Sequence, residues 1–155
     1  MVLADRNPPS APNQVTQTFV SRPEGSIACA VRRNVSFQDG NVQVWLKKIP
    51  SRAGLVFRMK DEKNFIVLLL DSTTDEAELT SFADGKPAVL ARGKAELQLD
   101  WGSLSVHLAG RAITATWNEK KLLEGKDPKP VAGRAGFATE GAGNASFDEF
   151  VIESP

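Results

Sequence analysis

The run Phe65-Ile-Val-Leu-Leu-Leu70 is apolar at both parities. A strand of that composition has to be covered on both faces, as in the middle of a sheet packed inside a sandwich. Residues Lys60 to Asn64 form the hairpin loop that joins it to Gly54-Leu-Val-Phe-Arg-Met-Lys60. Upstream, Asp39-Gly40 makes a turn, after which Val42, Val44 and Leu46 alternate with Gln43, Trp45 and Lys47. That period of two gives a strand with one buried face. The stretch from Phe37 to Asp71 therefore organises the chain, and the remaining segments read as strands added around it.

The same pattern continues on both sides. Residues 4–13 carry too much Pro and Asn to be regular, because Pro fixes φ and donates no hydrogen bond to a ladder. Residues 1–14 are accordingly expected to be an irregular entry segment, and 15–155 a single domain. Val15 to Val20 and Ser26 to Arg32 read as strands around the turn Arg22-Pro-Glu-Gly25. Thr73 with Glu76 matches a capping box, but a loop followed by a strand from Glu78 to Phe82 fits better, since Ala83-Asp-Gly-Lys86 is an Asp-Gly hairpin turn leading into Pro87 to Ala91. Leu104, Val106 and Leu108 pair with Ile113, Ala115 and Trp117 as a hairpin across Ala109-Gly-Arg111. Leu122-Leu123, Gly133 to Thr139 and Ala145 to Ile152 complete ten to twelve short strands with no long helix. That is the signature of an all-β antiparallel β-sandwich or jelly roll.

At 155 residues, such a domain buries roughly two thirds of the surface its unfolded chain exposes and needs no disulfide. Nineteen basic residues balance nineteen acidic ones, so net charge points neither to nucleic acid nor to an anionic membrane surface. The single Cys29 lies in an apolar alternating run and is expected to be a small core residue. No stretch approaches the roughly 18 apolar residues of a membrane span, so no membrane insertion is expected. The N-terminal residues lack the basic and apolar regions of a signal peptide. Either the protein is cytoplasmic or a signal peptide has been removed.

The order of the motifs adds a resemblance. Phe37-Gln-Asp-Gly-Asn-Val-Gln-Val, Ala53-Gly-Leu-Val-Phe-Arg, Asp61-Glu-Lys-Asn-Phe-Ile-Val, Asp84-Gly-Lys, Trp101-Gly-Ser-Leu-Ser-Val, Trp117-Asn-Glu-Lys-Lys-Leu-Leu, Gly133-Arg-Ala-Gly-Phe-Ala-Thr and Phe147-Asp-Glu-Phe resemble, over residues 25–153, the concanavalin A-like, laminin-G-like jelly rolls. The small bacterial domains grouped with the 3-keto-disaccharide hydrolase family are the most similar of these. The resemblance implies two curved antiparallel sheets, a face on which relatives bind glycans, and an extracellular or periplasmic location.

Candidate chemistry is sparse. One His and one Cys cannot supply the three or four ligands of an imidazole or thiolate metal site. Asp61, Asn64, Asp71 and Asp75 are loop oxygens, but their spacing is not that of a calcium loop, so no metal or other cofactor is expected. His107 and Ser105 share a strand face without the Gly-x-Ser-x-Gly elbow of a nucleophile. Glu76 and Glu78 would project from one face about 7 Å apart, within the range of paired glycosidase carboxylates. They adjoin a charged turn, and are expected to face solvent away from any deep pocket. Asp148, in Phe147-Asp-Glu-Phe150, is expected to make structural hydrogen bonds.

Carbohydrate sites stack sugar rings on aromatic faces and orient them with polar groups. The ligand-binding candidates on this basis are Trp45, which opposes the buried parity of its strand, with Arg58, Asn64 and Asp71; Arg58 could equally pair with an acid. Trp117 shares parity with Ile113 and Ala115 and belongs to the core, and Trp101 is placed to plug one end of the sandwich. The reading that follows is a non-catalytic binding or accessory domain with a carbohydrate ligand. Its alternatives are a glycosidase-type hydrolase related to the 3-keto-disaccharide hydrolases and a purely structural domain of a larger secreted protein.

Overall fold

The computed structural model describes residues 2–5, 14–17, 27–32, 35–47, 52–97, 101–140 and 145–153. One sheet runs, edge to edge, through β1 (Val2–Asp5), β2 (Gln14–Gln17), β13 (Ala145–Glu153), β4 (Gly40–Lys47), β9 (Gly102–Ala109), β10 (Ala112–Trp117) and β11 (Lys120–Lys126). The other runs through β3 (Ile27–Val31), β12 (Arg134–Glu140), β5 (Arg52–Asp61), β6 (Asn64–Asp71), β7 (Glu76–Ala83) and β8 (Lys86–Lys94). All pairings described are antiparallel. The result is a jelly-roll sandwich, as the strand pattern predicts.

The core forms where the inward parities of the two sheets meet. Val42, Val44 and Leu46 of β4 and Leu104, Val106 and Leu108 of β9 face Leu55 and Phe57 of β5 and Ile66, Leu68 and Leu70 of β6. The opposite parity of β6 is buried too. Phe65, Val67 and Leu69 join Val56 and Ala138 in a smaller apolar cluster on the outward side of the six-stranded sheet. Both faces of β6 are thus covered, which is what its unbroken apolar run requires.

Glycines set the close approaches. A Cβ at Gly93 of β8 would fall 2.1 Å from the Leu122 carbonyl oxygen of β11, and one at Gly125 would fall 2.7 Å from the Leu79 side chain. At Gly93 the obstacle is backbone, so only a residue without a Cβ lets these two edge strands come together and close one side of the sandwich. Trp117 is buried, and its ring occupies the space that a Cβ on Gly102 would need, 2.2 Å from Cζ2.

Two expectations change. Within the segment expected to be irregular, Val2–Asp5 is a strand paired with β2, because ladder hydrogen bonds form between main chains whatever the side-chain pattern; residues 6–13 lie outside those described. Cys29 is exposed rather than in the core. Its pairing with Ala138 puts it on the outward side of edge strand β3, while Ala28 and Ala30 take the inward parity. Neighbouring protein mass still raises its thiol to about 11 by desolvation, which favours the protonated form at neutral pH.

Leu68 is fully buried between the sheets. Leu68→Ala is expected to cost about 2–5 kcal/mol in denaturant melts; a loss under about 0.5 kcal/mol would mean that β6 is peripheral to the core.

Candidate functional site

The outward side of the six-stranded sheet divides into an apolar and a charged half, and strand register decides the division. Cross-strand pairing sets Glu140 beside Arg52, Arg52 beside Asp71, Asp71 beside Glu76 and Glu76 beside Lys94. One step further in, Leu69, Glu78 and Arg92 form the next row. Arg52 bridges the strands between: its Nη1 donates to Glu140 Oε1 at 2.9 Å and its Nη2 to Glu78 Oε1 at 3.4 Å. Glu78 also accepts from Arg92 Nε at 3.2 Å and from Thr80 Oγ1 at 3.0 Å.

These groups are half-buried, with side chains 26% exposed at Arg52, 27% at Glu78 and 20% at Glu140. Burial alone would push the Glu78 carboxyl up, but the hydrogen bonds from Thr80 and Arg92 and the charge of Arg52 outweigh it and hold the carboxyl below its ordinary range. Arg52 shows the mirror image: desolvation works against its charge, and Glu140 and Glu78 more than restore it. Glu78 and Arg52 thus each favour the charged form of the other. Beside it, Arg52, Asp71, Thr74, Glu76, Glu78 and Arg92 line a shallow cavity of about 200 Å³. Its walls alternate fixed carboxylate acceptors with guanidinium donors, which is the set needed to orient hydroxyl groups.

The four ligand-binding candidates do not converge. Trp45 lies half-buried on the outward side of the other sheet, paired with Ser103 and Asp148. Arg58 turns inward: a register shift after Phe57 and a positive φ of 50° carry its side chain to the end of the sandwich, where it is 1% exposed. There it donates to Asp127 Oδ2 at 2.9 Å, to the Gln38 carbonyl at 3.0 and 3.1 Å and to the Gly110 carbonyl at 2.7 Å. Asn64 donates to Asp61 at 2.9 Å and accepts from the Asp84 backbone N–H at 3.1 Å, tying two neighbouring hairpin turns together. Arg58 and Asn64 do border one cavity of about 310 Å³, with the stacked rings of Phe65 and Phe82, but the Arg58 side chain is 1% exposed, whereas Arg52 and Arg92 of the charged lattice keep 26% and 68% of theirs open. Of the four, Asp71 alone borders the charged lattice, while its Oδ1 accepts from the Thr73 backbone N–H.

The other candidates resolve simply. Asp61 and Asn64 sit at one end of β6, and Asp71 and Asp75 at the other. No group of metal-ligating side chains occurs among the described residues. His107 Nδ1 lies 2.7 Å from Asn41 Oδ1. Asp148 is buried. Glu76 is exposed as expected, whereas Glu78 departs from expectation because two arginines hold it half-buried. Trp101 is also half-buried, beneath Lys47 Nζ at 5.8 Å from the ring centroid.

Arg52, Glu140 and Arg92 escape sequence reading. Arg92 and Glu78 fall into line once the hairpin register from β6 to β8 is set, so that part carries a signal. Glu140 arrives on β12 by a crossover and carries none.

No protein-family model matches the chain, and no curated protein matches it in sequence. Among solved structures, it is similar to the carbohydrate-binding module CBM66 from Bacillus subtilis, at 19% identity over 92% of this chain and 96% of that one, with a TM-score of 0.75. It is similar to the GH43 protein BlXynB from Bacillus licheniformis at 14% identity over 92% of this chain and 33% of that one, TM-score 0.68. The galectin LEC-6 from Caenorhabditis elegans matches at 13% identity over 90% and 99% of the two chains, TM-score 0.57. These likenesses show the fold: a jelly-roll β-sandwich.

The charges lead to two expected outcomes. Arg58→Ala leaves the Asp127 carboxylate buried without its cation, and is expected to cost about 3–5 kcal/mol in chemical denaturation; a loss under about 1 kcal/mol would show that the end of the sandwich is held by other contacts. For Glu78 the folded-state pKa is lowered, so its stabilisation is present above the unfolded value of about 4.3 and is lost as pH falls through the lowered one. Between about pH 5 and 3 the melting temperature of the wild type should therefore fall further than that of Glu78→Gln, and parallel curves would refute the assignment.

Proposed function

We propose that the chain is a non-catalytic glycan-binding or accessory domain, that residues 15–155 act as one unit, and that sugar hydroxyls are received by the charged lattice around Arg52, Glu78 and Arg92. The observation that carries this reading is the half-buried Arg52–Glu78–Glu140 network on a sheet face. Ion pairs of this kind add little to stability, yet the lattice holds donors and acceptors rigidly toward an open cavity. Exposed Val89, 46% accessible and paired with Thr80 beside Glu78, offers an apolar contact for a sugar ring. The similarity to CBM66 supports a carbohydrate ligand, and the fold's correspondence to 33% of the GH43 protein supports an accessory role. Nothing in the balanced charge favours nucleic acid, and no helix among the described residues is long and apolar enough to cross a membrane. An extracellular or periplasmic location suits such a ligand.

The glycosidase reading has less behind it. Glu76 and Glu78 share one outward face, but the mechanism needs a protonated carboxyl, held so by its surroundings, opposite an ionised one, and Glu76, the partner left for that role, stands exposed to solvent. The buried apolar half of the same sheet, Val56, Val67 and Leu69, is the observation that favours a purely structural role.

Glycan arrays with and without calcium, followed by titration calorimetry, test the reading. Binding of at least one glycan is expected, weakened about 10- to 100-fold by Arg52→Ala through loss of a charged hydrogen-bond donor. Absence of binding across the array would favour the structural domain. Hydrolysis of any disaccharide or polysaccharide, abolished in Glu78→Gln with circular dichroism unchanged, would replace the binding domain with the enzyme.

A further inference from the structure

The outward side of the seven-stranded sheet has a different chemistry from the charged lattice. Across β4, β9 and β10 its rows are Asn41, His107 and Thr114, then Gln43, Ser105 and Thr116, then Trp45 and Ser103. No carboxylate, ammonium or guanidinium interrupts these rows. Charges stand at the margins: Glu153 beside Asn41, the buried Asp148 beside Trp45, Lys47 beyond Trp45, and Lys121 paired with Glu124 on β11. Gln43 Nε2 donates to Ser103 Oγ at 3.0 Å, and with the Asn41–His107 contact this holds the two middle strands' side chains in order. Lys47, on the parity of Trp45, reaches over Trp101 and so brings a second indole to the Trp45 end. At the opposite end Asp39, Asn41, His107 and Glu153 border a shallow depression of about 340 Å³. Val151, 42% exposed, is paired with Gln43 at the flank.

We propose that this face is a second carbohydrate surface, distinct from the charged lattice, and that it takes a neutral polysaccharide chain lying along β4 and β9. Asn41 and Trp45 are four residues apart on one strand, about 14 Å, which is longer than one sugar ring. Amides and hydroxyls serve as both donors and acceptors to sugar hydroxyls without the desolvation cost of a charge. The indole at one end supplies an apolar plane, and the depression at the other receives a ring edge. An uncharged centre gives an anionic polymer, nucleic acid included, nothing to neutralise, so binding should be insensitive to salt.

The test is depletion of the protein from suspensions of insoluble cellulose, chitin and β-1,3-glucan, in about 0.05 and about 1 M salt, ionic strengths at which Debye screening differs strongly. Retention on at least one of the three is expected at both salt concentrations. Trp45→Ala should lower the partition coefficient about tenfold. Ser105→Lys, which puts a charge in the neutral centre and spares the indole, should do the same and guards against misfolding of the Trp45 variant. Arg52→Ala reports separately on the charged lattice, whose binding it should weaken. No retention on any of the three, wild-type retention by both surface variants, loss in Arg52→Ala with both surface variants unaffected, or release of the protein by salt would each overturn the proposal.

Discussion

The Arg58 guanidinium closes one end of the sandwich. It belongs to a strand of the six-stranded sheet, yet its acceptors are the turn before β4, the turn between β9 and β10, and Asp127 just after β11. A hydrophobic core holds two sheets together but leaves them free to slide, because apolar contact is not directional. A planar cation with several fixed acceptors is directional. The cost of burying it is met by partners on every side, and removal of the cation alone would strand a carboxylate. Gly133 completes the arrangement: a Cβ there would lie 2.4 Å from the Arg58 carbonyl carbon, so the chain after the Asp127 loop passes directly against the bulge that turns Arg58 inward. At one side edge the glycines of β8 and β11 do the corresponding work by contact rather than by charge.

Period-two alternation makes the inward face legible in the sequence itself. Val42, Val44, Leu46, Leu104, Val106, Leu108, Ile113, Ala115 and Trp117 occupy the core as their parity dictates, and β6 is buried on both sides as its composition demands. Alternation fails where the backbone leaves the regular ladder. Arg58 has the parity of Val56 and should face outward, but the irregularity after Phe57 and the positive φ reverse it. A positive φ at an arginine has no sequence marker comparable to glycine. Edge position defeats the pattern at Cys29, since a strand with one neighbour exposes residues that a central strand would cover.

The outward faces are only half legible for a different reason. Their members come from strands far apart in the chain, and proximity depends on strand order as well as register. The sequential hairpins from β5 to β8 keep Arg52, Asp71, Glu76, Glu78 and Arg92 within reach of ordinary hairpin reasoning. Glu140 next to Arg52 and Asp148 next to Trp45 depend on β12 and β13 returning by crossovers to lie between strands from earlier in the chain. Candidate residues chosen singly by type, such as Trp45 and Asn64, therefore fall on different surfaces although each is chemically suited to a sugar.

Register links stability to surface chemistry in this fold. Every core residue on β4 and β9 is followed by one that faces outward, so slipping either strand by a single residue would exchange the two sets. Burial of Val42, Val44 and Leu46 on β4, and of Leu104, Val106 and Leu108 on β9, forbids that exchange. The same burial fixes where Asn41, Gln43 and Trp45 stand relative to Ser103, Ser105 and His107. On the six-stranded sheet, the pairs Leu55–Leu68 and Leu68–Leu79 do the same for Arg52, Glu78 and Arg92. The outward side chains contribute little to holding the sheets together, and substitutions there change surface chemistry at low cost to folding. One core can in this way support a charged lattice on one sheet and a neutral face on the other, because each is positioned by residues that no ligand touches.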